Sequence, residues 1–417
     1  MGHGHRHHHR RRIGAGSYCV TMNVLTVTTF AEAKEVYRHR DFRQALYDAG
    51  EVVMGDVIIN LHGDEHRARR RLENRLFRRE TQVHYERDLF PPIITETLTP
   101  WLATGRAELV ELSHQFMMNL AALNAGLDRP KRTPEETANL YAFMMKFIEG
   151  ATLAHSTRDP AVVTQEITAA KKQFDTEFLG PSIDRRLALI ASDDGTGANL
   201  PKDVLTVLLQ NEDALHIPRE ILLREIAFFL LAGAHTSATA FVRTLDHLFT
   251  WCRDNPNDAA RSRSDKQFVQ SAVYETIRLF PSSPVAMRRA TRDIELKSGA
   301  VVKTGETVTI DLMSVNRDVT VFGSDAASFN PARIPLDPTA DAWGLSFGHG
   351  MHACIGQELA AGLLDRSADT AEFEYGLVSV AVQAMLDRGA APDPARPPKM
   401  DTTTKRPYWG EYHILFL

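Results

Sequence analysis

Apolar residues recur at helical spacing through most of the chain. The clearest stretches are 140–155, 163–178, 217–250 and 266–279, where they return every three to four positions. Between 294 and 312 the pattern shortens. Ile-Glu-Leu, Val301-Val302 and Thr307-Val308-Thr309-Ile310 are separated by Lys-Ser-Gly and Lys-Thr-Gly-Glu turns, which predicts short strands. Pro- and Gly-bearing polar runs at 128–134 and 192–201 read as loops. No internal repeat and no long linker interrupts this, so the pattern predicts one mainly α domain with a small β region.

Composition narrows the class. At 417 residues, 43% hydrophobic and 24% charged, the chain has the make-up of an ordinary globular protein with a large core. Its three cysteines suggest a reducing compartment and no disulfide framework. No secretory signal is expected, and the longest apolar run, 226–234, is too short to span a bilayer. The first twelve residues hold Arg6, Arg10, Arg11, Arg12 and five histidines, so residues 1–25 read as a basic leader, disordered in part. Leaving out those four arginines, 44 of the 48 basic residues remain against 53 acidic ones, a net charge of −9. That argues against a nucleic-acid binder.

Residues 347–360 carry the chemistry. Cys354 lies between glycines, with His349 and His352 just upstream and a helical pattern just downstream. Gly348 and Gly350 permit backbone angles closed to other residues, and Gly356 lets the chain pass close to a flat group. Such a loop presents one thiolate to a metal, with backbone N–H groups aimed at the sulfur. A zinc loop of His349, His352 and Cys354 is the competing reading, but no fourth ligand stands at metal-site spacing.

With Phe347, Gly350, His352, Cys354 and Gly356 in every slot, this stretch resembles the cysteine-ligand loop of the cytochrome P450 family. The resemblance runs from about residue 26 to the C-terminus and implies a single-domain P450 fold around a buried haem b, with Cys354 as the iron ligand. It further implies that the broken helical stretch Ala232-Gly233-Ala234-His235-Thr236-Ser237 is the oxygen groove, with Thr236 positioning the water that delivers protons. The family usually has Asp or Glu where His235 stands, so His235 is either a proton relay or a structural hydrogen-bonding group. Glu275, Arg278 and Arg333 match the family's structural trio. His66, Arg70, Arg288 and His352 match its haem-propionate clamps, with Arg289 as the competitor for position 288. Phe228, Leu231, Ala232, Val285 and Ala286 would line the substrate pocket, or else belong to the core.

Arg67, Arg69, Arg71, Arg75, Arg78 and Arg79 form a positive patch on an acidic protein. As the resemblance implies, a separate ferredoxin or flavodoxin-type donor would dock there, near Arg67, Arg71 and Arg75; a solvated helix face with Glu73 partly compensating is the alternative. Ala361-Gly362 and the stretch 365–376 depart from the family pattern and weaken the match beyond the cysteine loop. The expectation is a cytoplasmic haem monooxygenase that hydroxylates, epoxidises or demethylates a hydrophobic small molecule in secondary metabolism. Desaturation, ring coupling, peroxide-driven oxidation or a non-catalytic haem sensor or carrier are the alternatives.

Overall fold

The computed structural model describes residues 23–363 and 374–417. Strand β1 (Asn23–Val27) opens the described chain and spans the expected 25/26 boundary; the basic leader otherwise lies outside the described residues. Helix α1 (Phe30–Arg38) follows, then β2 (Phe42–Gln44) and α2 (Gly63–Glu73). The helical mass is built on α3 (Leu109–Ala125), α4 (Pro134–Ala151) and α5 (Arg219–Asp254), with α6 (Lys266–Leu279) beside them. The sheet is completed by β3 (Val285–Ala290) and β4 (Thr307–Asp311). Helices α7 (Gln357–Ala361) and α8 (Leu377–Leu386) flank residues 364–373. A hairpin of β5 (Lys399–Met400) and β6 (Trp409–Glu411) stands near the C-terminus.

The four-stranded sheet runs β1-β4-β3-β2, with β1 parallel to β4 and β3 antiparallel to both its neighbours. It has its own small core with α1, built from Val27, Phe30, Val36, Val308 and Ile310. The larger core surrounds α5. At 36 residues this helix is about 54 Å long, and it packs against α3, α6 and α8. It is long and apolar enough to cross a membrane by length and composition, but 78% of its most apolar stretch is buried in protein, so it is a core helix.

The predicted helices are present with shifted ends. The 140–155 stretch becomes α4, which starts earlier because Thr133 caps it: the Thr133 hydroxyl accepts from the Glu136 N–H at 3.2 Å, and Pro134 suits the first turn. That turn is polar, so apolar periodicity does not reach it. The 163–178 stretch forms a helix at Pro160–Phe174, runs through a wide turn at Asp175–Leu179 and continues as Gly180–Ser192. The expected strands at 294–312 appear as Ile294–Glu295, Val301–Val302 and β4. Most of the departing segment 365–376 lies outside the described residues; at its edge, α7 stops after five residues at Gly362, whose φ is +79°.

Candidate active site

The cysteine loop is shaped by glycines and held from below. At Gly350, φ is +71° and an added Cβ would stand 2.7 Å from the Tyr37 carbonyl oxygen, so only glycine fits. The Cys354 N–H donates to the Phe347 carbonyl at 2.8 Å, closing the loop, and the Phe347 ring meets Trp343 edge-on. Beneath it, Glu275 accepts from Arg278 at 2.7 Å and from Arg333 at 2.9 Å. Arg278 also donates to the carbonyls of Asn316 and Ala326, so its buried charge is fully engaged. Asn316 carries the brace onward: its side chain accepts from the Leu345 N–H and donates to Ser346, at the root of the cysteine loop. The three charged residues therefore meet in one place and act on the loop through Asn316.

Cys354 lies deep among protein atoms and yet is open to solvent-sized space. A side chain with both properties faces an opening inside the molecule. Burial pushes its thiol pKa up, while the Gly356 N–H and the Arg70 charge pull the other way. No protein atom stands closer to an added Cβ at Gly356 than Phe77, at 3.9 Å, so the fold itself does not demand glycine there. Gly233 and Thr236 show the same openness midway along α5, between buried Ala234, His235 and Ser237.

One edge of this region is unusually rich in cationic and donor groups. The His66 and His352 rings stand 4.3 Å apart, and His62 stacks beside His352 at 6.5 Å. The Nδ1 atoms of His62, His66 and His352, and Nε2 of His352, are buried without a partner among the described residues. Burial, with neighbouring Arg70 and His62, lowers the His66 pKa to about 4; burial, with His66 and Arg288, lowers that of His352 to about 3. Arg288 is buried and, among the described residues, bonded only to the Gln44 amide oxygen at 2.8 Å and the Met287 carbonyl, over the Tyr37 ring. Arg289 turns the other way and pairs with Asp48 at 3.1 Å. Arg70 donates to the Ala353 carbonyl at 2.8 Å and to Asn74. Unpaired donors, forced-neutral histidines and an uncompensated guanidinium are what a dianionic group such as haem, with its two propionates, would satisfy. The residues fit that cofactor.

The zinc-loop reading does not assemble. His349 accepts from Arg38 at 2.7 Å, and among the described residues no group of three His, Cys, Asp or Glu side chains could hold a metal ion.

On α5, the Thr236 hydroxyl donates to the Ala232 carbonyl at 2.7 Å. His235 turns toward α3, its Nδ1 3.2 Å from Nε2 of His114. The Nδ1 atom of His114 is 2.9 Å from the Val110 carbonyl, which can only accept. Both rings are buried with lowered pKa, so the proton order is fixed: His114 donates through Nδ1, His235 donates through Nδ1, and His235 Nε2 is left as a buried lone pair. Phe228, Leu231 and Ala286 are buried, and Ala232 and Val285 half-buried.

Two expectations need correction. Arg69 is not part of the surface patch: it is buried and pairs with Glu225 at 2.9 Å. Glu73 is likewise fully buried and compensates no exposed arginine. Arg67, Arg71, Arg75, Arg78 and Arg79 are exposed. Sequence reasoning also missed His62, four positions before His66 and detectable by that spacing, and Tyr47, His114, Arg406 and Tyr408, which no local pattern marks.

The comparisons with known proteins bear on the same residues. The family described as Cytochrome P450 matches residues 164–362, a span holding the oxygen helix, the Glu275–Arg278 pair and the cysteine loop. Over that span the chain is a cytochrome P450. That match ends at Gly362, where α7 stops. Among curated P450 relatives, pulcherriminic acid synthase of Bacillus subtilis (strain 168) is 24% identical over 80% of this chain and 78% of its own length. The C-19 steroid 1alpha-hydroxylase of Sorangium cellulosum (strain So ce56) is 26% identical over 76% and 73%. Among solved structures, HmtT, involved in himastatin biosynthesis, superposes with a TM-score of 0.71 at 22% identity, covering 94% of this chain and 91% of that one. P450BioI, solved with a ligated acyl carrier protein, gives 0.71 at 18% identity over 94% and 91%. This P450 is thus a haem-dependent monooxygenase of small molecules.

Proposed function

We propose that this P450 binds haem b through Cys354 and inserts one oxygen atom from O2 into a hydrophobic small molecule, by hydroxylation, epoxidation or oxidative demethylation, in secondary metabolism. The observation that carries this is a single cysteine, in a loop only glycine can shape, facing an interior opening whose rim is crowded with unpaired donors. His66, His352 and Arg288 would hold the propionates, and Arg70 fixes the loop at Ala353. The bound haem supplies the oxidising chemistry; two electrons and two protons send the second oxygen atom of O2 out as water.

The chain's own share is placement and proton handling. Thr236 spends its hydroxyl proton on Ala232, so its lone pairs are left to hold a water in the opening. His235, fixed by His114 and held neutral, acts as a hydrogen-bond acceptor of set direction. Phe228, Leu231, Ala232, Val285 and Ala286 would exclude bulk water around the substrate. A separate ferredoxin or flavodoxin-type donor would reach the cysteine side near Arg67, Arg71 and Arg75, in the cytoplasm. The relatives named a synthase and a steroid hydroxylase support small-molecule oxidation.

The test is the carbon-monoxide difference spectrum of the reduced protein. The strongly red-shifted band of a thiolate ligand is expected, and Cys354→His should abolish it while retaining haem. Persistence of the band in that variant would refute the assignment.

A further inference from the structure

Five arginines among the described residues are buried: Arg69, Arg186, Arg278, Arg288 and Arg406. Three are matched by carboxylates, Arg69 by Glu225, Arg186 by Asp128 and Asp203, and Arg278 by Glu275. Arg288 has none, and the haem propionates account for it. Arg406 also has none, and nothing in the haem site explains it.

The Arg406 guanidinium donates to two neutral hydroxyls, Thr152 at 3.2 Å and Thr404 at 3.4 Å, and lies over the Tyr408 ring at 4.4 Å. The Tyr408 hydroxyl is a further neutral partner. A buried cation without a counter-charge is costly unless an anion arrives. A neighbouring ring is held neutral. His155, in the short turn that follows α4, has its pKa lowered to about 4 by burial and by Arg406, and its Nε2 is buried without a partner among the described residues. The Tyr47 hydroxyl also has no hydrogen-bond partner among the described residues, and it lies within electrostatic reach of Arg406, Arg288 and Cys354.

Arg406 belongs to the distal side. The Tyr408 ring, under the guanidinium, meets the His235 ring edge-on at 5.4 Å. The Tyr408 hydroxyl donates to the Ser282 carbonyl, and the Ser282 hydroxyl to the Thr236 carbonyl at 3.1 Å. Arg406 is thus two side chains away from the threonine of the oxygen groove.

Resting on the monooxygenase reading above, we propose that the substrate is a lipophilic carboxylic acid whose carboxylate binds Arg406. Tyr47 donates a second hydrogen bond, and His155 can supply a third through Nε2. One guanidinium and neutral donors suit a monoanion. The apolar remainder of the acid extends toward Ser282 and Thr236, so oxidation falls on carbons remote from the carboxylate.

The experiment titrates the haem-loaded protein with dodecanoic, hexadecanoic and phenylbutanoic acids and with the methyl ester of each. It is read by the spectral shift on loss of iron-bound water and, independently, by calorimetry. A charged hydrogen bond predicts that at least one acid binds about 10- to 100-fold more tightly than its ester. Arg406→Gln should erase that difference, and Arg406→Lys should keep part of it. Equal affinity of acid and ester throughout, no binding by any acid, or discrimination surviving in Arg406→Gln would overturn the proposal. The comparison in the unaltered protein stands even if a variant fails to fold. An intact carbon-monoxide band with no acid preference sinks this inference alone, whereas a missing band sinks the monooxygenase reading.

Discussion

Thr236 illustrates how one side chain's hydrogen bonding sets its chemistry. Its proton is committed to the Ala232 carbonyl, and its own carbonyl is held by Thr239 and Ser282, so both the hydroxyl and the helix around it are fixed. Replacing Thr236 with Ala leaves the bonds to its carbonyl and removes the hydroxyl, with its donation to Ala232 and the acceptor facing the opening. The expected result is several-fold more peroxide released per reductant consumed, with substrate binding unchanged; Thr236→Ser should restore coupling. An unchanged peroxide-to-product ratio in the alanine variant would show that Thr236 does not hold the proton-delivering water. Residues of this kind were legible in the sequence because they sit in short local motifs, as do Cys354, Gly350 and the Glu275–Arg278 pair. His114 and Arg406 were not, because their meaning lies in neighbours 121 and 254 positions away.

At the scale of elements, α2 and α5 are locked by a buried cluster that local pattern misreads. Arg69 donates to Glu225 and to the Asp56 carbonyl, while Glu225 also accepts from the Ile58 N–H. Glu73 faces Glu225, and burial followed by that neighbour's charge raises its pKa well above the ordinary carboxylate value. One arginine can neutralise only one of the two carboxylates, so Glu73 keeps its proton and donates it to Glu225. The run of arginines in α2 read as a solvated face because charge alone does not reveal which side of a helix meets a partner 156 residues on. A carboxyl whose pKa is raised on folding binds its proton more tightly in the native state. Its contribution to stability is therefore present at low pH and lost as pH rises through the native value. Glu73→Gln, which mimics the protonated acid, should flatten that decline and make the protein more stable than the parent on the alkaline side, as followed by thermal unfolding against pH. Glu225→Ala breaks the buried pair with Arg69 and strips the Ile58 N–H of its acceptor, and should cost about 3–5 kcal/mol. A Glu73→Gln protein with the parent's pH profile would show that the shared proton is absent.

For the whole molecule, the large features of the fold were readable because a 36-residue apolar helix and a cysteine loop leave few alternatives, while the sheet needed the structure to show β1 joining β4 across 280 residues of chain. What remains exposed on α2 then matters for encounters with other proteins. Arg71, Arg75 and Arg78 point to solvent on a chain whose formal net charge is −5, so they form a local positive region against an opposing overall charge. Arg70 ties this helix to the Ala353 carbonyl, next to Cys354, which sets the patch beside the cysteine loop. An acidic electron donor steered there should feel these charges over about 10 Å at 0.1 M salt and over much less at high salt. Reversing Arg71 and Arg75 to Glu should slow first-electron transfer from an acidic ferredoxin about tenfold at low ionic strength. The gap should close as salt is added, with the carbon-monoxide band and substrate-induced shift intact. Stopped-flow reduction across a salt series measures this. Parallel salt curves for parent and variant would place the donor on another face, because only charges inside the encounter region change the slope.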